Sequence, residues 1–172
     1  NVELINAVTG KPDYIPLATH AYNIGHIAGE NAAGGNVKYD PIVQNISVKI
    51  FDKFFASIGL SSDEAERNKF DFEGVFAKAK SLVAVMPGSD FVFGKILADK
   101  YSKRIVGASF LGGKEISGYA DLLSALIKLK VPASTLSKIN YNYTPPLSPF
   151  INLLNIIGKK FSDNKWKVCI EK

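Results

Sequence analysis

The sequence predicts an α+β body in which an antiparallel sheet of four to five strands is covered by helices and preceded by an N-terminal helical arm. Three observations point to it. Short stretches at 72–79, 82–86, 90–98 and 104–111 have strand character and follow one another across short turns, which suits an antiparallel sheet. Residues 114–129 carry Ile116, Ala120, Leu123 and Ile127 on one stripe, widened by Leu122 and Leu126, as in a helix laid on a core. Ahead of the first strand, small and apolar residues recur at helical spacing and stop at Gly34-Gly35.

Taken in order, residues 1–15 contain a turn signal at Thr9-Gly-Lys-Pro12. Pro16-Leu-Ala-Thr19 opens a helix, because proline is tolerated in a first turn whose amides have no intrahelical acceptor. That helix is expected to run to about Ala33. Its residues Ala21, Gly25, Ala28, Gly29 and Ala32 form a nearly bare face. Glycine inside a helix costs about 0.5–1 kcal/mol relative to alanine, so two of them imply that something approaches the backbone closely, either another element or a flat ligand. His20 and His26 lie on different faces with no cysteine or carboxylate to complete a metal set, and they read as partly exposed histidines.

Residues 36–45 form a linker. From Ile46 the period becomes two, and one strand is expected with Ile46, Val48 and Ile50 on one side and Ser47, Lys49, Phe51, Lys53 and Phe55 on the other. Ser61-Ser-Asp-Glu64 is a capping box opening a short helix to about Asn68. The connection 99–103 joins the last two strands as a hairpin, Gly112-Gly113 ends the sheet, and a second short helix is expected from Pro132 to near Ile139.

With 172 residues, nearly half of them hydrophobic, the chain can bury one sizeable core. No apolar run approaches the roughly 20 residues of a membrane span, so no membrane partner is expected and the chain reads as soluble and cytoplasmic. Cys169 is the only cysteine, which excludes an internal disulfide and suits a reducing compartment. It is read as a small half-buried residue of a strand-like segment, with a reactive thiol as the alternative. The formal charge is +5, and the tail 159–172 supplies five lysines against Asp163 and Glu171. The lysines are dispersed and no recognition motif accompanies them, so the tail reads as solvated surface and no nucleic acid partner is expected.

The stretch Tyr143-Thr-Pro-Pro-Leu-Ser148 stands apart. Two adjacent prolines fix φ and withhold two amide donors, so residues 143–149 must form a rigid loop, with an apolar helix-like run from Phe150 to Gly158 behind it. Tyr143 is therefore held in a fixed place beside a surface that favours burial.

Four stretches give the chain a resemblance. Ile50-Phe-Asp with Ser57-Ile-Gly-Leu60, Arg104-Ile-Val-Gly-Ala108, Tyr143-Thr-Pro-Pro-Leu-Ser148 with Asn155 and Gly158, and the arm segments Tyr14-Ile-Pro-Leu-Ala18 and Gly25-His-Ile-Ala-Gly-Glu-Asn31 are similar to the FAD-dependent pyridine nucleotide-disulfide oxidoreductases. The body resembles their C-terminal dimerisation domain, nearest to coenzyme A-disulfide reductases and NADH oxidases. The resemblance implies three parts: residues 1–40 as the C-terminal end of a FAD-binding domain, 41–158 as the dimerisation domain, and 159–172 as a basic tail. It also implies an enzyme that binds FAD, uses NADH or NADPH, and reduces a small-molecule disulfide or oxygen as a homodimer. The family's redox cysteine and dinucleotide-binding glycine motifs are absent from this sequence, so the chain is expected to be a fragment without turnover of its own.

Residue by residue, Leu17, Ala18 and Thr19 match the helix start that faces the flavin pyrimidine edge. Tyr143 matches a tyrosine that reaches across the twofold axis into the partner's substrate site; the alternative is that its hydroxyl only pins the loop. The run 150–157 and the aromatic side of the first strand are expected to supply the interface. Departures exist. No histidine occupies the C-terminal loop, which favours the subgroup lacking that acid/base, and no phenol stands near Val85-Met86, where the subgroup has a second partner-facing tyrosine. Thr144 and Leu147 replace an alanine and an aromatic, and Asn152-Leu153 an Asp-Pro pair. The competing reading is a free-standing basic α+β binding module unrelated to flavin chemistry.

Overall fold

A computed structural model describes residues 3–163 of the chain. Two short strands, β1 (Leu4–Ile5) and β2 (Pro12–Asp13), precede helix α1 (Ala18–Ala32). The body follows as β3 (Asn45–Ile50), β4 (Lys53–Gly59), α2 (Ser62–Arg67), β5 (Phe72–Lys80), β6 (Phe91–Asp99), β7 (Ile105–Gly112), α3 (Ile116–Lys128), a 3-10 helix (Ala133–Lys138) and α4 (Leu153–Ser162). The five body strands form one sheet in the order β3-β4-β7-β6-β5, with every neighbouring pair antiparallel. This is the α+β architecture expected from the alternation of short strands with one strongly amphipathic helix.

Register explains which face is covered. Ala56, Phe110, Gly94 and Ala77 lie in one row across four strands, and Ile58, Ala108, Ile96 and Val75 in the next. These rows are buried beneath α3, which packs on β4 and β7, and α4, which packs on β5 and β6. Phe110 fits because its row is otherwise small: a Cβ on Gly94 would stand 2.9 Å from the Phe110 ring and 3.0 Å from Leu153. The opposite face carries Val48, Phe55, Leu111, Phe93 and Lys78 in one row and no helix of the α3–α4 layer.

Two expectations are corrected. The strand expected to run through 46–55 is a hairpin, because the chain reverses at Phe51-Asp52 with Phe51 in the left-handed region at φ 53°. The reversal pairs Val48 with Phe55, so these two share a face rather than opposing one another. The segment 82–86 is not a strand. It lies in the β5–β6 connection, closed by Ser81 N to Asp90 O at 2.8 Å and by Asp90 N to Ser81 Oγ at 3.1 Å. Pro87 and the positive φ of Gly88 enforce the turn, and Val85 is left 86% exposed. The short helix expected at 132–139 is present as a 3-10 helix, capped by Pro132 and Ile139. Cys169 and the strand expected around it lie outside the described residues.

α4 sits unusually close to the 3-10 helix. A Cβ on Gly158 would fall 2.2 Å from Ser137 N and 2.7 Å from the Leu136 carbonyl carbon, so only glycine permits the contact. Nearby, Tyr119 packs its ring on Phe110 at 5.5 Å, and the Tyr141 hydroxyl donates to Leu136 O at 2.9 Å. Burial pushes Tyr119 up to about 12, with Glu115 adding in the same direction, and burial also raises Tyr141.

Gly158→Ala should lower stability by about 1–3 kcal/mol, whereas Gly118→Ala, with open space around its Cβ, should raise it by up to about 1 kcal/mol. Urea midpoints of the two variants moving in the same direction would contradict the packing. Because the folded state holds Tyr119 and Tyr141 neutral above the ordinary phenol value of 10.0, it binds more protons than the unfolded chain there. The contribution is fully present below pH 10.0 and drains as pH rises towards 12. Urea midpoints should therefore fall on the alkaline side of 10.0, and less steeply in Tyr119→Phe.

Candidate functional site

The proline loop leaves the core at Tyr141 and returns at Asn152, and both ends are fixed. Tyr141 is bound to Leu136 as described, and Asn152 Oδ1 accepts from Leu154 N at 2.9 Å, capping α4. Asn155 Nδ2 adds a bond to Ser137 O at 3.0 Å. Within the loop, Ser148 Oγ donates to Asn142 O at 2.8 Å and accepts from Thr144 N at 3.2 Å. The amides of Leu147 and Ser148 both donate to Thr144 O at 2.9 Å.

What this frame holds outward is a small apolar group. Tyr143 is 48% exposed and Phe150 78%, with Leu147 and Ile151 beside them. The Tyr143 and Phe150 rings meet edge to face, 5.4 Å apart at 90°. Among the described residues the Tyr143 hydroxyl has no hydrogen-bond partner. Ser148 is the loop's internal tie, a role that the sequence alone leaves open for the phenol. A signal for it is present in the chain: with prolines at 145 and 146 the loop is short of amide donors, and a hydroxyl two residues later can replace one.

The expected interface run is corrected. Leu153, Leu154 and Ile157 are fully buried inside the chain's own core, because the Asn152 cap starts a helix whose period turns these positions towards β5, β6 and the 3-10 helix. Phe150 and Ile151 alone of the run's large apolar residues are strongly exposed. The first hairpin presents Val48, Ile50 and Phe55, with Phe51 91% exposed at its turn.

α1 forms the second candidate surface. It has no buried residue. Leu17 is the N-cap, has an extended backbone and offers no side-chain acceptor; its carbonyl accepts from the amides of His20 and Ala21, each at 3.1 Å. Among the described residues the amides of Ala18 and Thr19 have no acceptor, and no acidic residue lies in the first turn. Desolvation lowers the His20 pKa, and its Nδ1 is 2.9 Å from the Tyr39 hydroxyl. The bare face is open: a Cβ on Gly25 or Gly29 meets nothing within 4 Å, and Ala21, Tyr22, His26 and Glu30 line a shallow concavity around them. His26 packs edge-on against Tyr22 at 4.6 Å, and no group of three or more His, Cys, Asp or Glu placed to hold a metal occurs among the described residues. Among the described residues no helix is long and apolar enough to cross a membrane.

Comparison with known proteins fits this geometry. The family described as pyridine nucleotide-disulphide oxidoreductase, dimerisation domain, matches residues 46–153. NADH oxidase of Methanocaldococcus jannaschii is 30% identical over 147 residues, covering 86% of this chain and 33% of that protein. Coenzyme A disulfide reductase of Staphylococcus aureus is 27% identical over 150 residues, covering 87% of this chain and 34% of that protein. The solved NAD-dependent persulfide reductase from A. fulgidus superposes with a TM-score of 0.89 at 27% identity, over 95% of this chain and 30% of that one. The chain thus spans about a third of the length of the curated relatives it matches. The match over 46–153, more than half of the chain, and the five-stranded antiparallel sheet under two helices agree: the chain belongs to the pyridine nucleotide-disulphide oxidoreductase family and carries its dimerisation domain.

Proposed function

We propose that the chain is the interface part of a homodimeric FAD-dependent NAD(P)H oxidoreductase that reduces a small disulfide, such as coenzyme A disulfide, or oxygen. In this reading residues 1–40 end the FAD-binding domain and the remainder contributes groups to the partner subunit's active site. The observation that carries it is the Tyr143 phenol: half exposed, on a backbone tied at both ends, and with a hydroxyl free of partners within the described residues.

FAD, when bound, accepts hydride from NADH or NADPH and supplies the electron pair to the acceptor. The residues of α1 fit the polar edge of such a group. The open amides of Ala18 and Thr19, at the positive end of a 15-residue helix, stabilise negative charge, and the Leu17 cap and acid-free first turn leave nothing to compete. The Gly25/Gly29 face lets the rest of the FAD domain approach the α1 backbone. Tyr143 donates or accepts a hydrogen bond that orients the sulfur-bearing substrate. Phe150 and Ile151 bury against the partner and shield that bond from water.

In the full-length enzyme, Tyr143→Phe should leave reduction of the flavin by NADH intact and lower disulfide turnover by about ten- to a hundredfold; unchanged disulfide turnover would remove its role. Gly25→Ala and Gly29→Ala should each stabilise the isolated chain by up to about 1 kcal/mol, since nothing opposes the new methyl and helix propensity improves. In the full-length enzyme the same changes should loosen FAD binding or lower the melting temperature. Stabilisation in both settings would mean that no domain packs on this face.

A further inference from the structure

We propose that Ser148 is the positioning residue for Tyr143: one hydroxyl fixes the backbone on both sides of the phenol and so sets where it reaches. The proposal rests on the reading that Tyr143 serves a substrate site. Ser148 Oγ donates to Asn142 O at 2.8 Å and accepts from Thr144 N at 3.2 Å, the two residues that flank Tyr143. Only a group that donates and accepts at once can make this bridge, and among side chains of this size that means a hydroxyl.

No backbone amide from 145 to 148 is left to substitute. Pro145 and Pro146 have no amide hydrogen, and the amides of Leu147 and Ser148 are both spent on Thr144 O. The phenol makes no hydrogen bond of its own among the described residues. Its ring contact is Phe150, which is itself 78% exposed and so weakly held. The direction of the Tyr143 side chain is therefore inherited from a backbone that Ser148 closes. Ser148 is only partly buried and lies outside the hydrophobic core, so its hydroxyl can be removed without opening the fold.

The test uses the full-length flavoenzyme with NADH and coenzyme A disulfide, in the variants Ser148→Ala, Ser148→Thr, Tyr143→Phe and the double variant Ser148→Ala with Tyr143→Phe. Ser148→Ala should lower kcat/KM by about tenfold, Ser148→Thr should restore most of it, and in the Tyr143→Phe background Ser148→Ala should change it by less than about twofold. An independent readout is the fluorine NMR signal of a fluorotyrosine placed at 143: narrow in the parent and in Ser148→Thr, broadened or doubled in Ser148→Ala. Equal losses from Ser148→Ala with and without the phenol, or an unaltered fluorine signal, would overturn the proposal. Should Tyr143→Phe itself leave turnover unchanged, the functional reading fails, while the fluorine signal still decides whether Ser148 sets the position of Tyr143.

Discussion

The exposed loop depends on the burial of what lies behind it. Leu153, Leu154 and Ile157 are sealed in the core immediately after the apolar surface formed by Phe150 and Ile151. Burying three such side chains contributes together about 5–9 kcal/mol, while each hydrogen bond inside the loop contributes about 1 kcal/mol. The two sets of interactions therefore have different tasks. The seat of α4, including the glycine contact at 158, decides that the loop exists at this point of the surface; Ser148 and the prolines decide its shape. A functional side chain can then be held outward without being part of the core that supports it.

A second separation runs along the chain. α1 buries nothing and has two glycines with open space around them, although such glycines carry a helix-propensity cost. By contrast, the glycines at 94 and 158 are each filled by a neighbour inside the described residues. The body has its own core, on which Ala7 and Val8 of the arm also pack; Leu4, Ile15 and Ile42 form a second, smaller cluster with Leu17 and Ile24 packed on it.

Much of this is legible in the sequence. The α3 stripe, the capping box at Ser61 and Glu64, and the hairpin at 99–103 are local signals, and the structure keeps them. What the sequence hides depends on partners remote along the chain. Phe51 is not a residue type that favours a left-handed turn, so nothing in its identity announces the reversal; pairing of β4 with β7 offsets the strain. The run 82–86 has strand composition, yet Pro87 and Gly88 close the connection before it can pair. The apolar residues after Phe150 resemble surface waiting for a partner because periodicity cannot say which side of a helix meets its own sheet. At the candidate site, the prolines foretell a stiff loop short of amide donors, but which atoms the Ser148 hydroxyl meets is set only when the loop folds back on Asn142 and Thr144.

The central claim is that Tyr143 serves the other subunit, and hybrid dimers test it most directly. One subunit of the full-length enzyme would carry Tyr143→Phe with an intact flavin domain, and the other would keep Tyr143 but be unable to bind FAD. If the phenol acts across the interface, the hybrid contains one complete site and should recover about half the parent's disulfide turnover, while each variant alone stays low. Turnover in the hybrid no higher than that of the Tyr143→Phe homodimer's single flavin would place the phenol at its own subunit's site and contradict the account.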